Sequence, residues 1–336
     1  MFKIKDSVEF EIVECIAEGG MGAVYKAYQK GVDGFVKTVA VKTLLAPLSS
    51  EKRFVDMFRA EALLVANLVH ENIVQIYQLG KYEGNYYFVI EYVDGITLHE
   101  FIDFHIKLKI KIPLNLAVFI ASRIARGLAY AHSRTARDET PLNIVHCDVC
   151  PSNVLITTEG LPKLTDFGIA KAATMVSDGT VSGKLPFMSP EQASGKALDF
   201  RSDIYSLGIV LFYLISGEHT RDVSNDFAKL LEQAKSNYIN WGKFPDEFKN
   251  DRPLMNIIEK CLAPEADQRY CSTAELAREL EYYIYKDGYG PTIVTLAKYM
   301  RENMAYVFEK DEKRKASLRP GSPTLVLPVK TTKITF

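Results

Sequence analysis

The chain has 336 residues (37.8 kDa), 47% apolar and 25% charged, the balance of a folded protein and not of a disordered one. With 41 basic against 42 acidic residues its net charge is −1, so the chain offers no global field to nucleic acid or an anionic membrane surface. The longest apolar run, Leu207 to Ile215, is nine residues, half of the roughly 18 a membrane span needs. The N-terminus MFKIKDSVEF lacks a signal-peptide apolar core, and five irregularly spaced cysteines make no disulfide framework. A soluble cytoplasmic protein is expected.

The first third reads as β-rich, with strands expected at Val8 to Ile16, Val24 to Tyr28 and Thr38 to Thr43. Between the last two, Lys30-Gly31-Val32-Asp33-Gly34 has hairpin chemistry. Phe54, Phe58, Ala62 and Val65 recur at helical spacing and predict a helix over Glu51 to Leu68. Strands near Ile73 to Leu79 and Tyr86 to Glu91 follow, and Asp94-Gly95 breaks the pattern. From there to about Lys286 the reading is mainly helical, with strand-like pieces at Val154 to Ile156 and Lys163 to Thr165. A small β-lobe joined to a larger α-lobe results, without a repeat. Thr292 to Phe308 predicts one or two amphipathic helices. Lys310 to Phe336, with seven basic and two acidic residues and three prolines, reads as a mobile basic tail. Its Lys313-Arg314-Lys315-Ala316-Ser317 also suits a docking or self-modification segment.

Ala17-Glu18-Gly19-Gly20-Met21-Gly22-Ala23-Val24 joins two expected strands. Glycines there let the backbone approach a polyphosphate and offer it N–H groups. A strand follows the glycines where a dinucleotide fingerprint needs a helix, and no Gly-Lys pair precedes Ser or Thr as a Walker A loop requires. Alone the turn reads equally as an ordinary hairpin. Downstream, Val39-Ala40-Val41-Lys42 ends an apolar strand in a lysine that needs a partner, and Glu61 on the next helix supplies a carboxylate.

The decisive stretch is Ile144-Val145-His146-Cys147-Asp148-Val149-Cys150-Pro151-Ser152-Asn153, followed by Asp166-Phe167-Gly168 and Ser189-Pro190-Glu191. Leu68-Val69-His70-Glu71-Asn72-Ile73-Val74, Asp203-Ile204-Tyr205-Ser206-Leu207-Gly208 and Arg269 complete the set. From about Phe10 to Ile284 the chain resembles the eukaryotic-like protein kinases, above all the bacterial serine/threonine members. The resemblance implies an α+β, bilobal protein-kinase fold. Its parts would be a small β-rich N-lobe over 1–93, a larger mainly helical C-lobe over 94–286, a helical extension over 287–309 and a flexible basic tail over 310–336.

The resemblance also implies roles. Asp148 would accept or orient the substrate hydroxyl proton, and Asn153 and Asp166 would bind Mg²⁺, or Mn²⁺ in its place, beside the phosphates of ATP. Lys42 would hold those phosphates, paired with Glu61. Ile16, Ala17, Glu18, Gly19, Gly20, Met21 and Gly22 would cover them. Val24, Ala40 and Leu155 would sandwich the adenine, with the Glu91 to Val93 backbone on its edge and Ile90 at the back pocket. Glu191 would pair with Arg269, and Asp203 would anchor the catalytic loop. The partners implied are proteins bearing Ser or Thr. His146 reads as a packing residue, and the lone Cys147-x-x-Cys150 without a second Cys/His pair reads as neither zinc nor redox site.

Four positions depart from the family pattern. Ala17 replaces the first loop glycine, Cys147 the arginine before the catalytic Asp, Cys150 the lysine two residues after it, and Lys184 the threonine after Gly183. Cys150 and Lys184 together leave the site one lysine, so Lys184 is expected to take over the contact with the transferring phosphoryl. A catalytically weak, nucleotide-gated scaffold of kinase fold is the rival reading. An aminoglycoside-type small-molecule kinase ranks below it, since such enzymes generally lack the Pro190-Glu191 element and the Asp203 helix.

Overall fold

The apolar patterning over the first ninety positions forms five strands and a long helix, with short helical turns at Val32–Gly34 and Ala46–Ser49: β1 (Ser7–Glu18), β2 (Gly22–Lys30), β3 (Val36–Leu44), α1 (Lys52–Val65), β4 (Ile76–Tyr82) and β5 (Asn85–Glu91). The computed structural model describes residues 7–19, 22–44, 46–49, 51–136, 138–167, 185–222, 226–308 and 334–335. The chain divides into one unit of residues 1–69, 74–93 and 309–336 and a second of 70–73 and 94–308.

In the first unit the strands lie antiparallel in the order β4-β5-β3-β2-β1, and the two-residue strand Ile334–Thr335 pairs with Ser7 and Val8 at the β1 edge. Register decides which residues share a face. Val24 lies opposite Lys42, Lys26 opposite Ala40, Ala40 opposite Ile90 and Lys42 opposite Phe88, so all six share one face. The other face buries Ala27, Val39, Val41, Tyr87 and Val89 under Phe10, Ile12 and Tyr82. The helix α1 packs by its apolar stripe: Phe58 stacks on Phe88 with ring centroids 3.9 Å apart.

The second unit opens with β6 (Gly95–Thr97), which pairs with β7 (Val154–Thr157), itself paired with β8 (Pro162–Leu164). Between them run α2 (Leu98–Leu108), started by a Thr97/Glu100 capping box, and α3 (Leu114–His132). The helices α4 (Phe200–Ser216), α5 (Phe227–Lys235), α6 (Arg252–Cys261), α7 (Thr273–Tyr285) and α8 (Ile293–Asn303) follow, and residues 305–308 are again helical. Every residue of α4 from Ser202 to Ile215 is buried, as expected of a helix apolar all round. Leu296 and Met300 of α8, with Met304 and Val307 beyond it, join the same core. Gly160, at φ +80°, lies against this extension: a Cβ there would stand 2.2 Å from the Ile293 carbonyl oxygen.

Two sequence expectations need amendment, and a third lies almost wholly outside the described residues. The strand expected from Ile73 begins at Ile76, because Ile73 instead bridges to Leu164 within the second unit. The strand β6 was not expected, since Gly95 reads as a breaker; a glycine is needed there because a Cβ would meet the Ile156 carbonyl oxygen at 1.9 Å. Apart from Ile334–Thr335, the basic tail lies outside the described residues.

Candidate active site

In the first unit, Ile16, Ala17 and Glu18 end β1, exposed to solvent, and Ala17 pairs with Val24 without a positive φ. The backbone of the turn closes on itself, with the Gly19 N–H donating to the Gly22 carbonyl at 2.9 Å. Gly20 and Met21 lie outside the described residues. Gly22 is required by packing, since a Cβ would stand 2.2 Å from the Thr43 carbonyl oxygen. The shared face brings Val24, Ala40 and the half-buried Lys42 together, with the Lys42 ammonium 6.0 Å from the Phe88 ring centroid. Glu61 lies on α1, its side chain outside the described residues. Glu91 and Gln75 tie the end of β5: the Glu91 N–H donates to the Gln75 carbonyl at 2.8 Å, and the Glu91 carboxylate accepts the Gln75 N–H at 3.2 Å. Val93 is half-buried just beyond.

In the second unit, the loop Ile144–Asn153 is tied down almost residue by residue. The buried Asp203 carboxylate accepts the N–H of His146 at 2.7 Å and of Cys147 at 2.8 Å, and His132 joins it at 2.8 Å while also bonding the Thr273 hydroxyl. Cys147 has φ +60°, a left-handed conformation costly for a residue with a Cβ; these two bonds hold it there. The fully buried His146 accepts the Asp148 N–H on Nδ1 at 3.2 Å and donates from Nε2 to the Thr165 carbonyl at 3.1 Å. Those two roles require the neutral imidazole. His146 also packs on Phe167 at 4.5 Å between ring centroids.

Asp148 is 6% exposed and Asn153 4%. The Asn153 Nδ2 donates to the Asp148 carbonyl at 2.9 Å, and the Asn153 carbonyl accepts the Thr165 N–H at 3.0 Å. Asp166 follows at φ +58°, half-buried. The three carboxylate and amide residues expected at the metal and the base are thereby linked through one hydrogen-bonded backbone. Leu155 sits in β7, half-buried and paired with Lys163. A small pocket beside Asp148 is lined by Cys147, Val149, Phe187, Met188, Gln192 and Ser206.

Both cysteines of the loop are inert by environment. Burial, with the nearby Asp203 and Asp148 charges, pushes the Cys147 thiol well above the ordinary cysteine range, so it stays protonated. Cys150 is buried in the apolar core. Among the described residues no cluster of three or more His, Cys, Asp or Glu side chains is placed to hold a metal. Lys184 lies outside the described residues, as do Thr174, Ser177, Thr180 and Ser182.

The Ser189-Pro190-Glu191 segment is tied to its surroundings, and through Gln192 to this loop. Arg269, buried, donates to both Glu191 carboxylate oxygens at 2.7 and 3.0 Å, and Ser202 adds a bond at 2.6 Å. Burial alone would raise the Glu191 pKa, but the Arg269 and Ser202 bonds outweigh it and hold it below the usual glutamate value. Gln192 donates from Nε2 to the Cys147 carbonyl at 2.6 Å. Sequence reasoning missed Gln192 and His132. Gln192 could have been found from the capping-box spacing Ser189-x-x-Gln192, which the structure forms; for His132 the sequence holds no signal beyond a histidine ending an apolar helix.

A five-stranded antiparallel sheet followed by a mainly helical unit that carries these loops defines the protein-kinase fold. The chain belongs to the protein kinase family: the family model "Protein kinase domain" matches residues 10–283. It is 36% identical over 299 residues to the tyrosine-protein kinase MasK of Myxococcus xanthus, covering 87% of this chain and 45% of that protein. It is 33% identical over 309 residues to the serine/threonine-protein kinase PrkC of Bacillus subtilis, covering 91% and 45%. The crystal structure of the Mycobacterium tuberculosis PknI kinase domain shares the fold, with a TM-score of 0.60 at 24% identity over 81% of this chain and 94% of that one. The chain thus spans less than half the length of these two relatives. Among the described residues no helix is long and apolar enough to cross a membrane.

Proposed function

We propose that the chain transfers the γ-phosphoryl group of ATP to serine and threonine hydroxyls of proteins. The observation that carries this reading is the lock of Asn153 onto the Asp148 carbonyl and of Thr165 onto Asn153. It ties the Asn153 side chain to the backbone of Asp148, and the backbone of Asn153 to the residue before Asp166. Asp148 orients the hydroxyl and takes its proton. The Asn153 amide and Asp166 are hard oxygen donors, the set that Mg²⁺ or Mn²⁺ accepts when nucleotide phosphates complete its coordination. A metal held there neutralises charge developing on the transferred group. The first-unit residues Lys42 and Glu61, with the turn from Ile16 to Gly22, bind the phosphates. Val24, Ala40, Glu91, Val93 and Leu155 bind the base. On this reading residues 1–93 are the ATP-binding lobe, 94–286 the catalytic lobe and 287–309 its extension. All five cysteines are free, as a cytoplasmic protein requires.

One observation favours the rival reading of a weak, scaffolding kinase: Cys150 is buried in the core and brings no polar group to the site. The name of MasK also keeps tyrosine open as acceptor. Incubation with labelled ATP, Mg²⁺ and myelin basic protein, followed by phosphoamino-acid analysis, separates these outcomes. Phosphoserine or phosphothreonine is expected. Phosphotyrosine alone would move the acceptor class, and ATP binding without transfer would leave the scaffold.

A further inference from the structure

Just before Ser189-Pro190-Glu191 lies a single 3-10 turn, Leu185–Phe187, followed by Met188. The Leu185 carbonyl already accepts the Met188 N–H at 3.2 Å; the later carbonyls fall where intrahelical partners run out, and Pro186 has no N–H to give in exchange. The partner comes from the loop after α4. Arg221 is fully buried and donates from Nη1 to the Leu185 and Pro186 carbonyls at 2.8 and 2.9 Å. From Nη2 it donates to the Met188 carbonyl at 2.7 Å and the Tyr205 hydroxyl at 3.2 Å. Among the described residues it makes no ion pair with a carboxylate, and its Nε has no hydrogen-bond partner. Burial pulls its pKa down from the ordinary arginine value.

A buried guanidinium with no counter-ion among the described residues is an expensive way to fill space, so what it does in exchange matters. Its three carbonyl partners fix the backbone that carries Phe187 and Met188, two walls of the pocket beside Asp148. Arg221 is itself held from behind. Its own carbonyl accepts the Lys243 ammonium at 2.9 Å, and the adjoining Asp222 carboxylate accepts Lys243, Asn240 and Tyr238.

Resting on the kinase reading above, we propose that Arg221 is a positioning residue for the protein substrate: it preforms the Phe187–Met188 wall against which the acceptor polypeptide docks next to Asp148. Only a planar fork reaches three carbonyls at once, so lysine is a partial substitute and methionine, of similar bulk, none.

The test compares the full-length wild type with Arg221→Met and Arg221→Lys, measuring steady-state kinetics with myelin basic protein and ATP and amide hydrogen exchange. In Arg221→Met the KM for the protein substrate is expected to rise roughly 10-fold, the scale of a slightly misplaced docking surface, with the KM for ATP unchanged. Exchange should quicken over residues 185–192 while the catalytic loop keeps its protection. Arg221→Lys should fall between the two, and it carries the test should Arg221→Met not fold. Lower kcat with both KM values unchanged would reduce Arg221 to a structural residue and overturn the proposal, as would unaltered exchange over 185–192. An inactive wild type would overturn the kinase reading instead, and exchange would still decide whether Arg221 sets this wall.

Discussion

Two loops of the second unit are pinned by buried charges of opposite sign, and each sign follows from the backbone groups the loop leaves over. At Ile144–Asn153 the left-handed turn at Cys147 leaves two consecutive N–H groups, and the Asp203 carboxylate takes both. At Leu185–Met188 the groups on offer are carbonyls, and the Arg221 guanidinium takes three, sharing that of Leu185 with the Met188 N–H. Asp203 lies in α4 and Arg221 in the loop that follows it. Between them Tyr205 has Arg269 at 4.8 Å and Arg221 at 6.0 Å from its ring centroid. A buried charge is a poor source of net stability, but each backbone group it leaves behind when removed costs about 1–3 kcal/mol. The charges therefore fix conformation: Asp203 that of Ile144–Asn153, Arg221 that of Leu185–Met188.

On the function proposed above the first loop carries chemistry and the second binding, and the largest expected effect tests that division. Phosphoryl transfer is mostly positioning and charge stabilisation, so Asp166→Asn should lower turnover about 10³-fold or more while circular dichroism and thermal unfolding stay near wild type. Near-normal turnover would remove Asp166 from the site. Next comes Lys184, one residue before the Arg221-held segment. If its ammonium replaces the lysine lost at Cys150, Lys184→Ala should cost on the order of 10²-fold in kcat, as for a single preorganised donor. Cys150→Lys with Lys184→Thr should restore part of it. Unchanged kcat in Lys184→Ala would show that the residue belongs to neither loop's function.

The two anchors differ in how far the sequence announces them. Asp203 stands in Asp203-Ile204-Tyr205-Ser206-Leu207-Gly208 at the start of the longest apolar run, so the resemblance pointed to it, as it did to Asp148, Asn153 and the Glu191–Arg269 pair. Arg221 stands in Gly217-Glu218-His219-Thr220-Arg221-Asp222, which reads as a charged surface loop. Nothing in its neighbours' charge or spacing tells that it turns inward, because its partners are backbone carbonyls about 35 residues away. Carbonyls carry no residue identity, so a side chain that bonds them leaves no pairwise signature. The sheet was legible for the opposite reason: its alternation is a property of side chains. It misled at Ile73, whose apolar side chain fits either unit's strands.

Two histidines, His146 buried and His219 half-buried, sharpen the contrast at lower cost. His146, in the first loop, uses both ring nitrogens. His219, stacked on Tyr213 at 4.3 Å and edge-on to Phe187 at 5.6 Å, has a buried Nδ1 without a partner. Burial first, then the Lys243 and His99 charges, push its pKa from 6.5 down to about 4. The folded state therefore stays neutral where the unfolded chain takes a proton. Its stability contribution is whole above pH 6.5 and is lost as the pH falls towards 4. By linkage the loss amounts to about 2–3 kcal/mol. Urea unfolding at pH 7 and pH 4.5 should show His219→Phe losing less stability than wild type between the two. An identical loss in both would show that His219 titrates normally in the folded state.

The smallest expected effect is a null one, and it concerns how the two loops are switched. In kinases with an arginine before the catalytic Asp, that cation stays unbalanced until a phosphate on the intervening segment pairs with it. Here the position is Cys147, whose thiol stays protonated, whose N–H is taken by Asp203 and whose carbonyl is taken by Gln192. No charge at this position waits for a partner, and Arg221 spends its own on carbonyls. Both loops are thus set by groups already within the fold. Phosphorylation of Thr174, Ser177, Thr180 or Ser182 has no such cation to neutralise. Phosphatase-treated enzyme and a variant with all four hydroxyl residues changed to Ala should keep initial rates within about twofold of untreated wild type, the energy of a weak surface contact. A fall of orders of magnitude, restored on rephosphorylation, would mean that a cation elsewhere in the chain has taken over the part of the missing arginine.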